Sequence, residues 1–182
     1  MQNGGHTFIK DTARMQNTAR MQNTAFMQDT ARMQDSAFMQ GYNCIMVFSR
    51  DKRKLLFCKR ASEPYLGLYN LVGGKIEKGE NGYEAAYREL KEETGIDRDS
   101  ILLHHMMDFT YYNQDCYVEV YAGYLERDVI LKEEAHKLVW LDMDENFFDD
   151  TRFAGEGNIG HMVEQVKIYG MGIPVSGGND IP

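Results

Sequence analysis

Apolar residues follow two different periods along this chain, and one long segment follows neither. Residues 42–48 (YNCIMVF) and 55–60 (LLFCKR) are dense in apolar, β-favouring side chains, and the charged SRDKRK between them predicts a hairpin. Residues 61–68 hold Pro64 and Gly67 and predict a loop. A short strand over 70–76 is interrupted by Gly73 and Gly74. Over 82–94 the period becomes helical, with Tyr83, Ala86, Tyr87, Leu90 and Thr94 on one stripe. Asn81 with Glu84 three residues later resembles a capping box, and Gly95 supplies the C-terminal stop. Two longer strands, 101–112 and 116–125, flank the turn YNQD, and LVWL (138–141) predicts another. A second helix is expected over 158–169, with Ile159, Met162, Val163 and Val166 on one side. Strands and helices mix without regular alternation, which predicts α+β rather than a doubly wound parallel sheet.

Residues 1–40 are different in kind. Near-identical hexads such as ARMQNT place methionine at Met15, Met21, Met27, Met33 and Met39. Six residues turn an α-helix through about 600°, so successive methionines are about 120° apart and build no single stripe. The expectation is a polar, low-complexity arm that binds a partner or none, with Met39 or Met46 as alternative starts of an in-frame expansion. The division is then an arm over 1–40, a folded domain over 41–172 and a tail over 173–182.

Charge narrows the function. Among 182 residues, 28 Asp and Glu outnumber 20 Lys and Arg, giving a formal net charge of −8. That balance argues against a nucleic-acid partner, whose phosphates call for clustered cations. No apolar run is long enough to span a bilayer, and MQNGGHTFIK has no signal-peptide pattern. Cys44, Cys58 and Cys116 are odd in number and far apart, so reduced thiols in a cytoplasmic protein are expected. The pair His104–His105 and His136 read as strand-edge residues.

The chemistry gathers on the first helix. At about 100° per residue, with Glu89 at zero, Glu92 falls near 300° and Glu93 near 40°. Three carboxylates on one face repel one another unless compensated, and hard divalent cations such as Mg²⁺ or Mn²⁺ are the usual compensation. Arg88 stands one turn before Glu92 and can orient the cluster. Gly73 and Gly74 allow the backbone to approach a ligand or ion closely. Taken alone, ELKEETG reads as a solvated face; the glycines before it shift the reading.

Gly74, five residues, Glu80, seven residues and then REL-KEE-TGI (Arg88–Ile96) match the Nudix box, GX5EX7REUXEEXGU, at every defined position. The chain therefore resembles the Nudix hydrolase family from about residue 42 to 169. The resemblance implies an α/β/α sandwich around a mixed β-sheet, and hydrolysis of a nucleoside diphosphate linked to another group. It implies a metal site of Glu89, Glu92, Glu93 and the Gly74 carbonyl, braced by Arg88 and Glu80. Glu134, just before the LVWL strand, is the implied accessory metal ligand or base, with Glu133 its alternative and Glu89 or Glu92 able to move the proton instead. YNLVGGKIEKGE further resembles the MutT-like oxidised-purine nucleoside triphosphatases, with Asn70 on the base and Lys75 on a phosphate. Asp149 and Asp150 resemble the acidic base contacts of that branch.

The expected activity is a MutT-type nucleoside triphosphate pyrophosphohydrolase, monomeric or homodimeric, with 8-oxo-dGTP first among substrates. ADP-ribose or another nucleoside-diphosphate derivative is the alternative substrate. A non-catalytic nucleotide-binding module is the alternative of another class, and it would be expected to have lost a box carboxylate.

Overall fold

The computed structural model describes residues 39–133 and 136–170; the repeats, the tail and Glu134 lie outside the described residues. The chain runs β1 (Gln40–Phe48), β2 (Lys54–Lys59), β3 (Tyr69–Asn70), α1 (Gly82–Thr94), a 3₁₀ turn (Arg98–Ser100), β4 (His104–Tyr111), β5 (Cys116–Tyr124), β6 (Lys137–Asp142) and α2 (Asn158–Tyr169). The six strands form one mixed sheet in the order β3-β2-β1-β5-β4, with β6 also paired to β2.

β1 explains the architecture. Its side chains alternate, Ile45 and Val47 entering one core and Met46 and Phe48 the other. A strand buried on both faces reads as an unbroken apolar run, which is what IMVF is. The first core takes Ala86, Tyr87 and Leu90 from α1, and the second takes Ile159, Met162, Val163 and Val166 from α2. The helices thus cover opposite faces, as an α/β/α sandwich requires. β1 lies parallel to β5 along its whole length, from Gln40 beside Cys116 to Phe48 beside Tyr124. It meets β2 antiparallel, as the charged turn predicts.

The expected strands over 101–112 and 70–76 are both shorter. Ile101 makes only an isolated bridge to Leu125, and the strand starts at His104. After Asn70 the ladder breaks at the glycines, leaving single bridges from Val72 to Ile45 and from Lys75 to Tyr42. α1 has the predicted bounds and caps: the Asn81 side chain accepts from the Glu84 N–H, and Gly95 is left-handed at φ 75°. Tyr83 is the exception on its stripe, since it is exposed and lies edge-on to Tyr87.

Gly82, the first residue of α1, is tightly enclosed: a Cβ there would stand 1.5 Å from Glu119 Oε2, which Tyr121 holds by a 2.6 Å hydrogen bond. Gly82→Ala should therefore lower stability by roughly 1 kcal/mol or more, against the better helix propensity of alanine. Thermal melts followed by circular dichroism test it, and a raised Tm would mean that the Glu119 carboxylate swings clear.

Candidate active site

The site begins where β1 grips the glycine pair. The Asn43 N–H donates to the Gly74 carbonyl at 2.8 Å, and the Gly74 N–H donates to Asn43 Oδ1 at 3.2 Å. Gly73 has φ +132°, and a Cβ on it would lie 2.4 Å from the Asn43 carbonyl oxygen. On Gly74 a Cβ would meet the Glu89 carboxylate, with Oε2 only 2.4 Å away. Two glycines thus let the first carboxylate of α1 rest against the backbone of the loop. Glu93, a turn further on, accepts the Gly73 N–H at 2.9 Å.

Arg88 ties these pieces together. Its Nε and Nη2 fork onto Glu80 at 3.0 and 2.9 Å, and Nη2 also donates to the Lys75 carbonyl at 2.9 Å. Nη1 donates to Glu89 at 2.7 Å and to Glu92 at 3.1 Å. The guanidinium holds the Glu80 carboxyl below the usual carboxylate range, and its three carboxylate partners push its own pKa up.

Among the described residues no three His, Cys, Asp or Glu side chains already converge as a metal cage. The arrangement shows why: Nη1 stands between Glu89 and Glu92, and Glu93 is turned to Gly73. The donor set nevertheless fits a hard divalent cation. Glu89 rests on Gly74, Glu92 is half exposed beside it, and the Gly74 carbonyl keeps one lone pair after accepting from Asn43. Of the Arg88 contacts only those of Nη1 would have to yield, because the fork to Glu80 is made by the other two nitrogens.

Beside this cluster opens a cleft of about 450 Å³. Asn70, Lys75, Gly73 and Gly74 line it, together with Tyr42, Tyr111 and Met162. Asn70 Oδ1 accepts the Leu71 N–H at 2.9 Å, which presents mainly its amide donors to a ligand. Asp149 and Asp150 do not line the cleft. Asp149 instead closes a turn, accepting from the Thr151 N–H and hydroxyl at 3.0 and 2.6 Å. Glu156 and Asn158, from the segment just after them, line the cleft instead. Tyr65 donates to Glu156 at 3.0 Å, and Asn158 donates to the Tyr111 hydroxyl at 2.8 Å. Nothing local marks Glu156 in sequence except its flanking glycines, Gly155 and Gly157, in a segment where all three residues have positive φ.

Of the accessory carboxylates, Glu133 accepts the Leu138 N–H at 3.0 Å at the entry to β6, and Glu134 is outside the described residues. His105 pairs with Asp108 at 2.7 Å on the exposed side of β4. All three cysteines are free thiols. Burial pushes Cys44 up to about 12 and Cys58 to about 11, so neither is a nucleophile at neutral pH.

The sequence profile of the NUDIX domain matches residues 39–161. The chain belongs to the Nudix hydrolase family. It is 49% identical over 43 residues to an ADP-ribose pyrophosphatase of Methanocaldococcus jannaschii, a match covering 24% of this chain and 25% of the relative. The chain thus spans a quarter of the length of that curated relative. Among solved structures, an Ap4A hydrolase from C. elegans superposes with a TM-score of 0.57 at 16% identity, over 69% of this chain and 95% of that one. A MutT protein from Methanosarcina mazei superposes with a TM-score of 0.55 at 21% identity, over 71% and 95%. These likenesses are of fold. No helix among the described residues is long and apolar enough to cross a membrane.

Proposed function

We propose that the protein is a Mg²⁺- or Mn²⁺-dependent nucleoside triphosphate pyrophosphohydrolase, releasing a nucleoside monophosphate and pyrophosphate, with 8-oxo-dGTP the first substrate to try. One observation carries this reading: a complete carboxylate and arginine cluster packs against the glycine loop, Gly73 and Gly74, that lines a cleft of about 450 Å³. Glu89, Glu92, Glu93 and the Gly74 carbonyl hold the ion, which when bound neutralises phosphoryl oxygens and acidifies water. Arg88 fixes the angle of Glu89 and Glu92, and Glu80 anchors Arg88. A box carboxylate or Glu134 takes the proton of the attacking water. Lys75 meets the phosphate chain as a point charge. Asn70 reads the base through its amide, and the acidic contact expected of Asp149 and Asp150 passes to Glu156. Reduced thiols suit a cytoplasmic setting.

The second reading, ADP-ribose hydrolysis, draws on the M. jannaschii relative. A panel of natural and oxidised nucleoside triphosphates, ADP-ribose and Ap4A, incubated with Mg²⁺ and resolved by anion-exchange chromatography, separates the two. Pyrophosphate and a monophosphate from 8-oxo-dGTP are expected; cleavage confined to ADP-ribose would replace the first reading by the second, and binding without products would remove both. In the same panel Asn70→Ala should shift the ranking of bases by about 10-fold, while a uniform loss across all nucleotides would deny it a role in reading the base.

A further inference from the structure

Three buried polar atoms among the described residues have no hydrogen-bond partner: Asn43 Nδ2, Arg60 Nε and His136 Nδ1. Buried donors without acceptors are rare in native proteins, because each has given up water and received nothing. Two of these three belong to residues lining the same cleft. Asn43 is only 2% exposed. The direction of its amide is set by chemistry: an N–H, that of Gly74, faces one end of the group, so that end must be the oxygen. The NH₂ end is therefore the one left without an acceptor. Arg60 is half-buried and forms no ion pair among the described residues, whereas Arg88, Arg98, Arg127 and Arg152 each hold a carboxylate. In a chain with a net charge of −8, an unpaired guanidinium and an unpaired amide in one cleft call for an anionic oxygen from outside the protein.

We propose that Asn43 is a further substrate-binding residue, donating from Nδ2 to an oxygen of the nucleotide's phosphate chain while its Oδ1 and main-chain N–H hold Gly74 in place. This rests on the nucleotide reading above and adds a residue to it. The phosphate chain is the source because of position. Asn43 is bonded on both sides to Gly74, Gly74 lies against Glu89, and Lys75 follows next in the chain. A single side chain thereby couples the loop that carries the Gly74 carbonyl to the group being cleaved, so that loop geometry and phosphate position are set together.

The test is a ¹H–¹⁵N spectrum of the full chain in Mg²⁺, with the Asn43 side-chain amide assigned by its loss in Asn43→Asp. Inorganic triphosphate and a non-cleavable α,β-methylene nucleoside triphosphate should each move that resonance downfield, and deoxyguanosine should leave it in place. An amide unmoved by both phosphate compounds, or moved by deoxyguanosine, overturns the proposal. Asn43→Asp keeps an acceptor for Gly74 but buries a carboxylate near Glu89, so its Tm should fall; below that Tm the folded variant should bind the methylene analogue about 10–100-fold more weakly. Wild-type affinity in that variant would equally overturn it. Products from the nucleotide panel are read on the unaltered enzyme, so failure here leaves the hydrolase reading standing and is distinct from its failure.

Discussion

Glu92→Gln is expected to lower turnover by about 10²–10³-fold while leaving the fold and the Tm essentially unchanged. The substitution is isosteric and removes a single charge. Glu92 is 54% exposed and pairs with Arg88 Nη1 at 3.1 Å in an ordinary i,i+4 pair. Such exposed pairs contribute little to stability, about 0.3–0.5 kcal/mol. The anionic oxygen is a different matter for a divalent ion, since a neutral amide is a much poorer ligand for a hard cation. Glu89→Gln provides the contrast. That carboxylate is 15% exposed, accepts Arg88 Nη1 at 2.7 Å and rests on Gly74. It should lose turnover to a similar degree and also lose measurable stability. Steady-state kinetics with Mg²⁺, paired with thermal melts of both variants, checks the contrast. Retained activity in Glu92→Gln would take Glu92 out of the metal site.

That contrast depends on details only partly legible in the sequence. The helix carrying the box was legible because its signals are local: Asn81 and Glu84 cap one end, Gly95 stops the other, and both bounds are as predicted. The exposure of Glu92 against the shelter of Glu89 was not legible, because both lie on one helix face by angle and differ only in whether the glycine loop covers them. The lining of the cleft was harder still. Tyr65 and Glu156 meet across 91 residues of sequence. Their meeting is created by long-range pairing: β6 runs antiparallel to β2, and Tyr69 bonds the backbone of Arg152 and Ala154, pairings that no hairpin signal announces. Asp149 and Asp150 attracted the functional reading as adjacent acids, yet Asp followed two residues later by Thr is also a turn signal, and the turn is what forms. Asn43 lay hidden for a related reason: a polar residue inside an apolar strand gives no clue to its partner, and that partner is a glycine 31 residues away.

Arg88→Ala should have the second large effect, on stability as well as on turnover. The side chain makes five hydrogen bonds, to Glu80 twice and to Glu89, Glu92 and the Lys75 carbonyl once each. Its removal leaves three carboxylates facing one another, two of them less than a fifth exposed. Breaking a fully buried ion pair costs about 3–5 kcal/mol, and partial exposure of this one brings the expectation to roughly 2–3 kcal/mol. Turnover should fall by about 10–100-fold, as when a group that orients metal ligands is lost. Arg88→Lys should recover little, because one ammonium cannot make the two-pronged contact with Glu80 and still reach Glu89. The pH dependence distinguishes charge from packing. Hydrogen bonds from Arg88 hold the Glu80 carboxyl below its ordinary range, so the stability it adds is complete above the unfolded-state pKa and is lost as pH falls through the lower folded value. The Tm gap between wild type and Arg88→Ala should therefore be widest near neutral pH and close as the pH falls below the ordinary carboxylate range. A gap of constant width would mean that Arg88 supports the site by the packing of its methylenes, and that the carboxylates of the box are held in place by something other than its charge.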